Sequence, residues 1–207
     1  MTLDIPLPMQ EKILFLYKFL RSPGQIGSVM PSSKFLAKKM IESVPWNNVR
    51  TIAELGAGTG AITKHIQTAV GGKNTNVLLF EADSYMRREL SSQYPDFSCY
   101  KDACQLQSAM HNERIEQLDC IISGLPFAAF PQAMRDKLME QITISLKENG
   151  VFIAFQYSLQ MKKQLSTHFD IETIKFVPFN VPPAFVYVCR KKGGKNGKRV
   201  RKGKSYC

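Results

Sequence analysis

Histidine is scarce in this chain, with three among 207 residues, at positions 65, 111 and 168. His65 and His168 read as surface residues of helices. With no Cys-x-x-Cys pair either, metal-ligand spacing is lacking and no metal is expected. The five cysteines, Cys99, Cys104, Cys120, Cys189 and Cys207, are an odd number, and three lie in or beside expected strands. Buried free thiols in a reducing cytosol are therefore expected rather than bridges. No stretch approaches the roughly 18 apolar residues that span a bilayer. Near the start, Asp4 and the lack of a basic run before the apolar segment exclude the pattern of a secretory signal. Acid is missing from the end: residues 190–207, "RKKGGKNGKRVRKGKSYC", hold nine Lys/Arg and no Asp or Glu.

That last absence localises the charge. The chain carries a net +11, yet the first 189 residues hold 19 basic against 17 acidic side chains. The body is nearly neutral, and the basic character sits in a glycine-punctuated tail with little to bury. Such a tail suits a polyanion, either nucleic acid or an anionic membrane surface, or serves only to solubilise.

Residues 9–21, "MQEKILFLYKFLR", place Met9, Ile13, Leu16 and Leu20 on one helical face, with Glu11 and Lys18 opposite. This amphipathic helix fits either packing on the protein's own core or lying on a membrane surface. After the loop "SPGQIGSVMPSS", Ser32 or Ser33 can cap a helix over 34–44.

From residue 51 strands and helices alternate, which sets an α/β class with a doubly wound sheet. Strands are expected at 51–55, 76–81, 97–100, 118–123 and 150–157, and the clearest helices at 60–70, 84–93 and 131–147. Two further apolar runs, 171–177 and 184–190, are joined by "PFNVPP", too short for a crossover helix, so they should form an antiparallel hairpin. The total is seven strands, mostly parallel, with no internal repeat.

Where strand 51–55 turns into the next helix stands "AELGAGTGAITKHI". Gly56, Gly58 and Gly60 permit a tight turn and close approach of a ligand to backbone. Glu81 closes the second strand, where a carboxylate can bind both ribose hydroxyls. Asp102 follows the third strand in "YKDAC", where it can accept from an adenine amine, with Ala103 beside it in the same cofactor-binding set. Either carboxylate could instead be a helix cap. Three such positions at successive strand ends favour a nucleotide-like cofactor. A dinucleotide dehydrogenase would show G-x-G-x-x-G, whereas here the third glycine comes one residue early.

Glu54-x-Gly56-x-Gly58-x-Gly60 resembles the first motif of class I S-adenosylmethionine (SAM) methyltransferases. The resemblance implies that Glu54 orients the loop, that the glycines face the cofactor's amino-acid part, and that the Rossmann-like sheet ends in a hairpin. To about residue 190 the chain resembles bacterial phospholipid N-methyltransferases. The matching stretches are "GSVMPSS" (27–33), "ELGAGTGAITK" (54–64), "ISGLPF" (122–127), "VFIAFQYS" (151–158) and "FNVPPAFVYVCR" (179–190). The domains implied are an N-terminal amphipathic helix and loop (1–31), a methyltransferase domain (32–190) and a basic tail (191–207).

A weaker resemblance reaches the rRNA adenine dimethylases, which share the glycine loop and the Leu-Pro-aromatic sequence. Those enzymes start the acceptor loop with Asn, whose amide suits a planar adenine amine. Ser123 offers a shorter hydroxyl, better matched to a tetrahedral lipid amine that becomes a cation as it is methylated. Ser123, Phe127 and Tyr157, with Tyr17 as a further aromatic, are the expected catalytic residues. The implied substrate is phosphatidylethanolamine or its partly methylated forms, at the inner face of the membrane in the cytoplasm. The anionic surface would be bound through the N-terminal helix and the tail; RNA is the partner under the adenine N6-methyltransferase reading. A third possibility is a SAM-binding relic that only coats membrane or RNA, against which the intact loop and carboxylates argue.

Overall fold

The structure, a computed structural model, describes residues 34–180 and 182–192. The segment 9–21 expected to be an amphipathic helix, Tyr17, the 27–33 stretch with Ser32 and Ser33, and the tail from 193 onward lie outside the described residues.

Strands β1 (Thr51–Leu55), β2 (Asn76–Phe80), β3 (Ser98–Tyr100), β4 (Leu118–Ser123), β5 (Leu146–Gln156), β6 (Phe169–Val177) and β7 (Ala184–Lys191) form one sheet. Its order is β3-β2-β1-β4-β5-β7-β6. Strands β1 to β5 pair in parallel, whereas β7 runs antiparallel to both β5 and β6. Only β7 is reversed, so β6 ends at the same edge as the five parallel strands. The expected doubly wound sheet with its terminal hairpin is present.

The central strands are apolar on both sides because helices cover both faces. On one face α1 (Lys34–Ile41), α2 (Thr63–Val70) and α3 (Ser84–Gln93) bury Leu36, Met40, Ile66 and Leu90 against Ile52, Leu79 and Ile122. On the other, α4 (Leu106–Asn112), α5 (Gln132–Ser145) and α6 (Lys162–His168) bury Leu106, Met110, Leu138 and Leu165 against Leu55, Phe80 and Phe152.

Several boundaries differ from those expected of the sequence. Helix α2 starts at Thr63 rather than 60, because Gly60 takes φ +79° and belongs to the preceding turn. Strand β5 begins four residues early, with Leu146 paired to Leu118 before the left-handed Asn149 (φ +63°) shifts the register. The four described cysteines are free thiols. Burial pushes Cys104 up to about 11 and Cys189 up to about 12.

At the amino edge of the sheet Asp119 ties three strands together. Its Oδ2 accepts from the backbone N–H groups of Arg50 and Thr51 at 2.8 and 3.0 Å, and its Oδ1 from Lys147 Nζ at 2.6 Å. Burial alone would raise this carboxyl, but Lys147 and the two amides outweigh it, and the net shift is downward. A lowered folded value means that the stabilisation is present above the unfolded pKa and is lost as pH falls through the folded one. Asp119→Asn is therefore expected to cost about 1–2 kcal/mol near neutrality. Urea unfolding at a series of pH values should show variant and wild type converging in acid.

Candidate active site

The crossovers reverse direction between β1 and β4, and ligands of open α/β sheets bind in the crevice at such a point. The loops after these two strands touch one another. A Cβ on Gly124 would lie 3.1 Å from the Gly56 carbonyl oxygen, and one on Gly56 would lie 2.9 Å from Leu125 Cδ2. Gly56 also sits at φ +79°, a region that side chains disfavour. The glycine loop and the 123–127 loop thus share one narrow contact that only glycines allow.

The carboxylates expected to serve a cofactor stand along this edge. Glu81, one residue past β2 and 1% exposed, accepts from the Gly58 N–H at 2.7 Å through Oε2 and from the Asp83 N–H at 3.0 Å through Oε1. Glu54 is fully buried, and its Oε2 accepts from the Thr63 hydroxyl at 2.6 Å. Sequence spacing does not single out Thr63; it joins β1 to the first turn of α2, nine positions away. Asp102 is exposed and caps the short helical turn Ala103–Gln105 by accepting from the Cys104 N–H at 2.8 Å. Ala103 opens that turn and is half-buried.

These groups fit a SAM-type cofactor. Gly56, Gly58 and Gly60 take φ of +79°, +62° and +79°, and at these three positions the loop presents bare backbone. Glu81 is held by the loop's own amide, and a carboxylate has further lone pairs with which to accept from ribose hydroxyls.

The acceptor residues are placed differently from one another. Ser123 is fully buried at the end of β4, and its Oγ accepts from the Leu125 N–H at 3.2 Å, bracing its own loop. Phe127 is 1% exposed and stands edge-on to Phe130 and Phe152. The helical turn Phe127–Ala129 turns this large apolar ring into the core. Tyr157 is half-buried just past β5, edge-on to Phe155 at 5.6 Å. Burial raises its phenol above the ordinary value, so it stays neutral at physiological pH.

Gln156, in sequence only part of a strand end, tethers the acceptor loop. Its Nε2 donates to the Leu125 carbonyl at 2.9 Å and its Oε1 accepts from the Ala128 N–H at 3.4 Å. Gln156→Leu should lower turnover about tenfold through misplacement of the loop, with cofactor affinity unchanged in calorimetry.

Among the described residues no three His, Cys, Asp or Glu side chains gather as a metal would require, and no helix is long and apolar enough to cross a membrane.

Solved structures share the fold, two of them over most of the chain. The 1,6-didemethyltoxoflavin-N1-methyltransferase of Burkholderia thailandensis, with bound S-adenosylhomocysteine, superposes with a TM-score of 0.68 at 13% identity, over 92% of this chain and 94% of that one. The N-methyltransferase NodS of Bradyrhizobium japonicum, in complex with S-adenosylhomocysteine, gives 0.65 at 10% identity, over 88% and 99%. The fold is that of class I SAM-dependent methyltransferases, whose cofactor is SAM. No family model matches the chain. It is 33% identical over 187 residues to the ornithine lipid N-methyltransferase of Singulisphaera acidiphila, covering 88% of this chain and 97% of that protein. The chain belongs to the family of that enzyme.

Proposed function

We propose that this protein methylates the amine of a lipid headgroup at a membrane surface. The observation that carries this reading is the family membership, since a relative matched over nearly its whole length is an ornithine lipid N-methyltransferase. An ornithine lipid and phosphatidylethanolamine both present a flexible alkylamine, and the ornithine lipid is the first acceptor to test.

Glu54, Gly56, Gly58, Gly60, Glu81, Asp102 and Ala103 would hold the cofactor, which when bound supplies an electrophilic methyl carbon. The protein's part is alignment and exclusion of water. An alkylammonium has no lone pair, and its ordinary pKa of about 10 must fall before it can react. Desolvation in the crevice lowers it. The loop 123–130 contains no carboxylate, and neutral Tyr157 is no base, so the proton leaves to water as the amine enters. Ser123 and Gln156 then hold the loop in shape, while the Tyr157 ring faces the nitrogen as it becomes cationic.

Expression in a bacterium that makes both ornithine lipid and phosphatidylethanolamine, followed by lipid mass spectrometry, tests the proposal. Added methyl groups on either headgroup support it and identify the acceptor. Unchanged lipids together with dimethyladenosine in ribosomal RNA overturn it.

A further inference from the structure

The hairpin between β6 and β7 has an inverted turn. Surface turns are ordinarily polar, yet "FVPFNVPPAF" (176–185) contains one polar residue, Asn180, and that residue is buried. Its backbone N–H donates to the Val177 carbonyl at 3.4 Å and its Nδ2 donates to the Pro182 carbonyl at 2.7 Å. Large apolar residues point outward instead. Phe179 is 74% and Phe176 54% exposed, and Pro178, Pro182 and Pro183 are exposed around them. Phe35, also 54% exposed on the first turn of α1, extends the surface, its ring centroid 5.9 Å from that of Phe179.

This apolar tip lies at the functional edge. Since β6 runs parallel to β1–β5, the turn projects from the edge that carries the glycine and acceptor loops. Phe176 pairs with Phe185, and Phe185 with Gln156, whose amide holds Leu125. Three strand spacings separate β6 from β4, about 14 Å, within reach of a headgroup. The charge near the tip is basic: α1 carries Lys34, Lys38 and Lys39 and the end of β6 carries Lys175, and residues 34–41 and 173–189 contain no Asp or Glu.

We propose that the β6–β7 turn, with Phe176, Phe179 and Phe35, inserts into the interfacial layer of an anionic bilayer and sets the acceptor loop above the headgroups. Exposed aromatic rings rimmed by cations suit that layer, where the rings leave water and the Lys and Arg meet anionic lipid. The inference rests on the lipid-amine reading for its purpose. It adds a docking element separate from the N-terminal segment and the basic tail.

Depth-dependent fluorescence tests it on the full chain. Trp46 is the single tryptophan and lies at the opposite edge of the sheet, its carbonyl reached by Lys73 Nζ just before β2. In Phe179→Trp, vesicles of phosphatidylglycerol and phosphatidylcholine should shift the added emission to the blue, and brominated acyl chains should quench it. Wild-type Trp46 should respond to neither. In Phe179→Glu, vesicle binding should weaken about tenfold or more, from the lost burial of one Phe side chain. Methylation of lipid in vesicles should fall with it, while methylation of the same lipid dispersed in detergent persists. If the Phe179→Trp variant is retained by vesicles and its added emission does not change, the proposal is overturned. Failure of the wild type to methylate lipid in either form would instead remove the function reading, and the quenching result would still decide the docking surface.

Discussion

Gly58→Arg is expected to abolish SAM binding while the fold survives. Gly58 occupies φ +62°, where an L-residue costs about 1–2 kcal/mol. Its N–H is the donor that fixes Glu81 at 2.7 Å. An arginine there brings a guanidinium to the carboxylate meant for ribose hydroxyls, and fills the space that a glycine leaves open. Calorimetry should show affinity reduced by at least about a hundredfold, equivalent to about 2.7 kcal/mol. Circular dichroism should stay that of the wild type, because the loop lies outside both core clusters apart from Ala57. Glu81→Gln should be milder, since an amide oxygen can still accept from Gly58. Binding of Gly58→Arg within a few-fold of wild type would show that this loop does not hold the cofactor.

Tyr157→Ala is expected to slow turnover about thirtyfold, the effect of losing roughly 2 kcal/mol of desolvated contact between an aromatic face and a developing cation. SAM affinity should change little, because Tyr157 follows β5 and packs edge-on to Phe155, whereas the groups expected to hold the cofactor lie at or just past the ends of β1, β2 and β3. Tyr157→Phe keeps the ring and should keep most of the activity. Burial raises the Tyr157 phenol, so its deprotonation falls above the working range. The pH profile of kcat should then be the same for Tyr157→Phe and wild type. A profile that loses a limb in Tyr157→Phe would assign the hydroxyl a proton-transfer role instead.

Strand positions are legible in the sequence because the buried parallel strands are apolar runs closed by turns, as in "LDCIIS" and "VFIAF". The glycine loop is legible because its spacing is local. What escapes the sequence depends on distant partners. Phe127 and Tyr157 both read as aromatics near the acceptor, but the core on one face of the sheet claims the Phe127 ring while Tyr157 packs toward the other. Ser123 reads as a group facing the amine; that its hydroxyl also accepts from the Leu125 N–H depends on the turn it begins. Gln156 meets Leu125 across 31 positions, a tether no periodicity announces. The inverted turn at Asn180 reads in sequence only as a short connection; its outward phenylalanines follow from the internal bonds of Asn180.

The most direct test of the central claim uses purified protein, methyl-labelled SAM, and three acceptors offered separately: vesicles containing ornithine lipid, vesicles containing phosphatidylethanolamine, and ribosomal RNA. Label should enter the amine of a lipid headgroup, with ornithine lipid the first expectation, and should be absent from RNA. Label in RNA adenine with none in either lipid would contradict the account.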